Sequence, residues 1–305
     1  MKVKFWGVRG SIPCPGPNTI KYGGNTACVE IRFSDCNRII IIDAGTGIKD
    51  AGSNFIVNDF PRGIRDIDIF ITHTHLDHIM GFPFFSPIYI PNVNINIHGP
   101  VTYEDDSIEK ILGGLFTYRY FPKIQSELSA NITYFNIKED EFNLGDGITL
   151  ITQYLNHPIL CLGYKFKYKG KSVCTLYDTE PFRNIFCTDP TNPSFDEAMT
   201  KEGSQIAKEE NLRIQEFIYG SDILIYDAQY TNEEYDPSRI GWGHTPIQYC
   251  IESVMSSKIK KLILFHHDPE RTDSQIEDFE KEYCDNNVNR ETKIYFAKER
   301  TEIEV

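Results

Sequence analysis

The chain has 305 residues and carries 31 lysines and arginines against 44 aspartates and glutamates, a formal net charge of −13. A surface of that sign repels polyanions at long range, so extended contact with DNA or tRNA is disfavoured, whereas a small anionic substrate is compatible. Eight cysteines stand without C-x-x-C spacing, which suits buried, reduced thiols better than a disulfide framework, and no stretch is apolar for long enough to span a bilayer.

The length suits one α/β domain, and no Pro/Gly/Ser linker, repeat or low-complexity run divides it, so a single domain over 1–305 is expected. The first residues lead straight into a strand with no charged-then-apolar leader, and a soluble, cytoplasmic protein is expected. Apolar or alternating runs closed by Gly, Asp or Pro predict strands over 2–7, 27–33, 38–43, 66–71 and 94–98. Few helices are predicted in this half, one after His78 and one over 104–112. The aromatic run 115–121 could stack on a base or pack in the core. A second strand series covers 132–136, 148–154, 161–168 and 172–176. Residues 180–220 read as an insertion-like segment that opens with Pro181, Pro190 and Pro193 and turns helical over 194–219; surface decoration is its default role, with a lid or a dimer contact as alternatives. A strand over 223–227, a helix over 246–256 and a strand over 261–265 follow. The final helix has Thr272 and Gln275 as a capping box and Ile276, Phe279 and Tyr283 on one face. Strands in two series with helices outside predict two sheets packed face to face.

Directly after the strand over 66–71, the segment ITHTHLDHIMG places His73, His75, Asp77 and His78 within six residues, the pattern H-x-H-x-D-H. Three imidazoles and a carboxylate at that density suit ligation of two metal ions. Residues two apart in extended backbone share a face, which sends His73 and His75 to one side, while the turn after Leu76 presents Asp77 and His78 from the start of the next helix. Imidazole and carboxylate without thiolate favour an open, catalytic pair of zinc, manganese or iron over a closed structural zinc site. A polar loop with solvated histidines is the alternative, and downstream residues weigh against it. His157 follows an apolar strand in YLNHP. Asp178 ends a strand in YDTE, where two carboxylate oxygens can bridge two cations. His266 and His267 end another strand, and one of them is a credible last ligand. Taken singly, each also reads as an ordinary turn or capping residue.

In this order, H-x-H-x-D-H, a strand-end His, an Asp and a late His resemble the metallo-β-lactamase superfamily, from Phe5 to Asp268. FWGVRGSIPCPG, YGGNTACVEI, IIDAGTG, DTE, YDAQYT, GWGHT and LFHHDP resemble its phosphodiesterase and ribonuclease Z-like branch, particularly bacterial cyclic-nucleotide phosphodiesterase-like members. The resemblance implies an α/β fold, a four-layer αββα sandwich with the metals at one edge between the sheets. It assigns His73, His75 and His157 to the first metal, Asp77, His78 and His266 to the second, and Asp178 to both. Zinc is the default identity, and manganese or iron fits the same donors. The resemblance also implies that Asp43, ending IIIIDAG, accepts the other N–H of a ligand imidazole, with capping of the Gly45 turn as the alternative. His267 would stand behind the ligands.

Two such cations can acidify a water and neutralise the non-bridging oxygens of a phosphodiester. Asp77 would then be both a ligand and an acceptor for that water. His244 in GWGHT is the candidate general acid, since the resembling branch sets a histidine beside the scissile phosphate. Arg9 and Ser11, with Asn25 and Thr26, are candidate phosphate contacts or loop pins. These residues imply a metal-dependent hydrolase, foremost a phosphodiesterase for a small 3′,5′-cyclic nucleotide. A ribonuclease Z-like tRNA 3′-processing endonuclease is the alternative. That family generally carries a tRNA-gripping arm, commonly between the positions matching His157 and Asp178, where this acidic chain has only twenty residues. A catalytically silent metal-binding or redox-sensing protein is the third reading, and the filled ligand positions count against it. No membrane partner is expected, and a homodimer is left open.

Overall fold

The computed structural model of the protein describes residues 1–101, 106–284 and 291–305. Its first sheet contains β1 (Lys2–Gly7), β2 (Cys28–Arg32), β3 (Arg38–Ile42), β4 (Asp66–Phe70), β5 (Asn94–Gly99) and β6 (Asn131–Asn136). The second contains β7 (Glu141–Gly145), β8 (Ile148–Tyr154), β9 (Leu162–Tyr168), β10 (Lys171–Leu176), β11 (Ile223–Asp227), β12 (Lys261–Phe265) and β13 (Lys293–Phe296). A last strand, β14 (Glu302–Glu304), returns to the first sheet beside β1. The orders are β14-β1-β2-β3-β4-β5-β6 and β13-β12-β11-β10-β9-β8-β7. β3 to β6 are parallel neighbours, and so are β10 to β13.

Period-two side-chain alternation explains the layers. In β3, Ile40 and Ile42 face the second sheet, where they join Tyr164, Phe166, Ile225 and Phe265, while Ile39 and Ile41 face outward to helix α1 (Ile48–Asn58). On the far side, Leu224, Leu262 and Leu264 bury against α5 (Ile247–Val254) and α6 (Asp273–Phe279). Three apolar clusters, one between the sheets and one under each helix layer, make the expected αββα sandwich.

Several boundaries differ from expectation. The strand over 131–136 belongs to the first sheet, because a crossover through α3 (Ile108–Gly114) carries the chain back to lie parallel to β5. Part of the helix predicted over 104–112 lies outside the described residues; α3 starts after a Ser107 cap. The short helix α2 (Leu76–Ile79) contains His78 rather than following it. Helix α1, β7, β13 and β14 had no counterpart in the sequence reading. In the insertion-like segment, α4 (Glu197–Ile218) is helical within the expected span, and α6 carries the expected Thr272/Gln275 capping box. Phe116 and Phe121 of the aromatic run pack with Phe82 and Phe84, whereas Tyr118 and Tyr120 are exposed. Among the described residues no helix is long and apolar enough to cross a membrane.

Candidate metal centre

The C-terminal ends of parallel strands converge on one edge of the sandwich, the place where α/β sheets bring side chains together. Asp43 follows β3, His73 and His75 follow β4, Asp178 follows β10 and His266 follows β12. Three of these residues leave their strands in the left-handed region, at φ 62° for Asp43, 40° for Asp178 and 62° for His266. Asp and His tolerate that conformation better than bulkier residues, and the surrounding fold must hold it in place. Gly10 lets a loop close over His266: a Cβ there would stand 2.4 Å from the imidazole Cε1.

Two groups of donors result, and they share Asp178. His73, His75, His157 and Asp178 form one; Asp77, His78, Asp178 and His266 form the other, the donor atoms of each lying within 4.8 Å of one another. Asp178 Oδ2 is 3.4 Å from His73 Nε2, and its Oδ1 is 3.2 Å from both His78 Nε2 and His266 Nε2. Asp77 Oδ2 lies 3.4 Å from His78 Nε2 and 3.3 Å from His266 Nε2.

This donor chemistry fits divalent cations. His157 Nδ1 donates to the Gly243 carbonyl at 3.2 Å, so its Nε2 lone pair faces His75 Nδ1 at 3.1 Å. His78 Nδ1 meets Asp43 Oδ2 at 2.7 Å, and its Nε2 faces His266 Nε2 at 3.3 Å. His73 Nε2 and Asp178 Oδ1 are buried without a hydrogen-bond partner. Orphaned buried polar atoms are costly, and a cation among them would satisfy all at once. Burial lowers His73 and His75 and brings His157 down to about 4, which keeps these imidazoles neutral, as ligands must be. Burial would also lower His78, but the carboxylates of Asp178, Asp77 and Asp43 outweigh it and hold a proton there. That proton carries the positive charge a metal would bring.

Behind the second group, a carboxylate that the sequence reading missed comes into play. Asp227 ends β11, is fully buried, and its Oδ2 lies 3.0 Å from His244 Nδ1; its Oδ1 lies 3.8 Å from His266 Nδ1. The His244 ring stacks on His266 with centroids 5.0 Å apart. Burial pushes His244 down, yet the neighbouring Asp227 carboxylate more than offsets this and raises it to about 9. The signal for Asp227 was present as a third apolar strand closed by Asp, ILIYD, after IIIID and TLYD.

No family model matches the chain. Ribonuclease Z of Clostridium novyi is 31% identical over 179 residues, a match that spans 55% of this chain and only about half, 51%, of that relative. Ribonuclease Z of Thermoplasma acidophilum is 26% identical over 100% of this chain and 99% of its own length. Among solved structures, the metallo-β-lactamase fold protein YhfI from Bacillus subtilis superposes with a TM-score of 0.64 at 14% identity, covering 99% of each chain. Zinc-bound PqqB from Methylobacterium extorquens gives 0.65 at 13% identity, with 100% of each chain covered. The chain has the metallo-β-lactamase fold, and in sequence it is similar to ribonuclease Z. Its sequence relatives are of the ribonuclease Z-like branch, and the structural likenesses, at such low identity, speak for the fold alone.

Within this metallo-β-lactamase fold, not every expected residue reaches the cluster. Ser11 does: its backbone N–H donates to Asp77 Oδ2 at 2.7 Å. Arg9, a phosphate contact or a loop pin on sequence grounds, buries its guanidinium against the carbonyls of Gly23, Asp268 and Arg271. Asn25 is bound to Glu299, and Thr26 exchanges hydrogen bonds with Thr46. These three tie their loops to neighbouring elements. His267 turns away from the cluster, donating to the Ala297 carbonyl at 2.8 Å and packing between Tyr22 and Phe296. Adjacent residues leave a strand end on opposite sides, so His266 and His267 cannot both point into the site. Asp43 does meet an imidazole, that of His78, and Thr72 ties the same carboxylate to His73 through its hydroxyl.

Proposed function

We propose that this protein hydrolyses a phosphodiester with the aid of two divalent cations, and that its substrate is a small 3′,5′-cyclic nucleotide. One observation carries the reading: two donor groups share Asp178, one of them wholly buried, and a histidine held by a carboxylate, His244 on Asp227, stacks against the buried one. His73, His75, His157 and Asp178 would hold one ion; Asp77, His78, Asp178 and His266 would hold the other. Zinc is the expected identity, and manganese or iron is compatible with the same nitrogen and oxygen donors. When bound, the ions would supply positive charge to the phosphoryl oxygens and acidify water.

The chain's own residues do the rest. Asp77, fixed by the Ser11 N–H, offers carboxylate oxygen for a water's proton. With Nδ1 of His244 engaged by Asp227, Nε2 is the nitrogen free to protonate a leaving alkoxide, and the Asp227 carboxylate favours the protonated ring. β9 and β10 with their short turn occupy the interval between His157 and Asp178 where an RNA-gripping arm would be inserted, and the net charge is −13. Both features favour a small substrate.

A second reading, tRNA 3′-end processing, is favoured by the ribonuclease Z names of the sequence relatives. Elemental analysis of protein purified without chelator should find two transition-metal ions per chain. A panel of cyclic mononucleotides, cyclic dinucleotides, a tRNA precursor, an acyl-homoserine lactone and a β-lactam, with Asp178→Ala as blank, then decides. Turnover of a cyclic nucleotide is expected. Preference for the tRNA precursor would install the second reading, and turnover of the lactone or β-lactam alone would move the chemistry to carbonyl carbon. Silence across the panel would overturn both.

A further inference from the structure

Three large apolar side chains stand exposed beside a cluster whose own donors are mostly buried. Leu76, 62% exposed, lies between His75 and Asp77. Ile12, 57% exposed, follows Ser11, whose N–H donates to Asp77. Trp242, 61% exposed, precedes Gly243, whose carbonyl accepts from His157 Nδ1, and stands two residues before His244. Exposed apolar residues scattered singly need no explanation. Three of them on separate segments, Ile12 and Trp242 on loops and Leu76 at the start of α2, each tied through a neighbouring residue to the same donor groups, mark a binding rim.

The turn that carries Trp242 is built to hold it there. Gly241 and Gly243 on either side adopt φ values of 90° and 81°, and a Cβ on Gly243 would fall 2.1 Å from His157 Nδ1. The Gly241 N–H donates to Glu180 Oε2 at 3.0 Å, and the Trp242 N–H donates to the Arg239 carbonyl at 3.2 Å. The turn therefore fixes the backbone at Trp242, two residues before His244, while its side chain stays largely open to solvent. On the same loop, the Arg239 guanidinium lies 4.7 Å from the centre of the Tyr230 ring, and that ring meets His244 edge-on at 5.9 Å. An exposed indole on the loop that also carries the Arg239 cation suits a planar aromatic group attached to an anion.

We propose that Trp242 determines specificity by stacking on a planar aromatic group of the nucleobase class carried by the phosphodiester, with Leu76 and Ile12 completing the apolar rim. This rests on the phosphodiesterase reading above. The test compares two esters with one leaving group, thymidine 5′-(p-nitrophenyl) phosphate and methyl p-nitrophenyl phosphate, in the metal-loaded enzyme. Trp242→Ala should lower the ratio of their kcat/KM values about tenfold, chiefly through KM for the nucleoside ester, and Trp242→Tyr should restore most of it. Fluorescence supplies a readout independent of turnover. The chain has two tryptophans, and Trp6 is buried. Thymidine 5′-phosphate should quench the wild-type protein and leave Trp242→Phe unchanged. An unaltered ester ratio, or equal loss on both esters without quenching, overturns the proposal and leaves the phosphodiesterase reading intact. Quenching without hydrolysis of either ester would sink the phosphodiesterase reading and leave the stacking residue standing.

Discussion

The two sheets reach the metal centre by different routes. From the first comes one continuous segment, in which His73, His75, Asp77 and His78 arrive together after β4, steadied from behind by Asp43 at the end of β3. The second contributes single residues from separate places: His157 after β8, Asp178 after β10, Asp227 at the end of β11, His244 before α5 and His266 after β12. A contiguous motif can keep its local geometry through its own turn. Residues at separate strand ends depend on the register of the strands that carry them, since a one-residue slip would send each to the opposite face. The first sheet thus concentrates donors, and the second sheet joins the two groups and adds the proton-handling pair.

If that division is right, the largest loss comes from the second sheet's shared carboxylate. Asp178→Ala should remove both ions and abolish turnover, read as metal content by elemental analysis together with kcat/KM. Retention of one full equivalent of metal would break the idea that the two groups are joined through this residue. Next in size is His244→Ala, expected to lower kcat by roughly 10²–10⁴ while both ions remain, because proton transfer and not metal binding is lost. Metal loss in that variant would place His244 among the ligands. Smallest is Asp43→Asn in the first sheet, where the His78 imidazole loses its charged anchor. Metal affinity at the second group should weaken by about 10–100-fold, measured by competition with a chromogenic chelator, with less change at the first group. Equal weakening of both would show that the segment after β4 moves as a unit.

The sequence made the fold class and the H-x-H-x-D-H segment plain because both rest on short-range signals: strand periodicity, turn residues and density of donors within six positions. Asp227 was passed over although it repeats the apolar-strand-then-Asp pattern of Asp43 and Asp178. Nothing local distinguishes it from a strand-end cap, and its partner His244 is 17 residues away. For Arg9, Asn25 and Thr26 the sequence left phosphate contact and loop pin equally open. Polar residues beside glycines look like phosphate contacts, but their burial commits them to carbonyls, Glu299 and Thr46. The strand over 131–136 was placed in the wrong sheet because a parallel crossover leaves no mark in the strand's own residues.

By itself the sequence determined which elements could form, that the chain's donors are nitrogen and oxygen without thiolate, and that one loop presents four of them. The family resemblance, and no local signal, assigned Asp178 to both groups and His266 over His267; tertiary structure alone decided how close these donors stand, and that Asp227 stands behind His244. The reason is physical: periodicity and turn chemistry act over a few residues, whereas a contact such as that of His266 with Asp77, 189 positions apart, exists only once two sheets have packed and fixed the register of their strand ends.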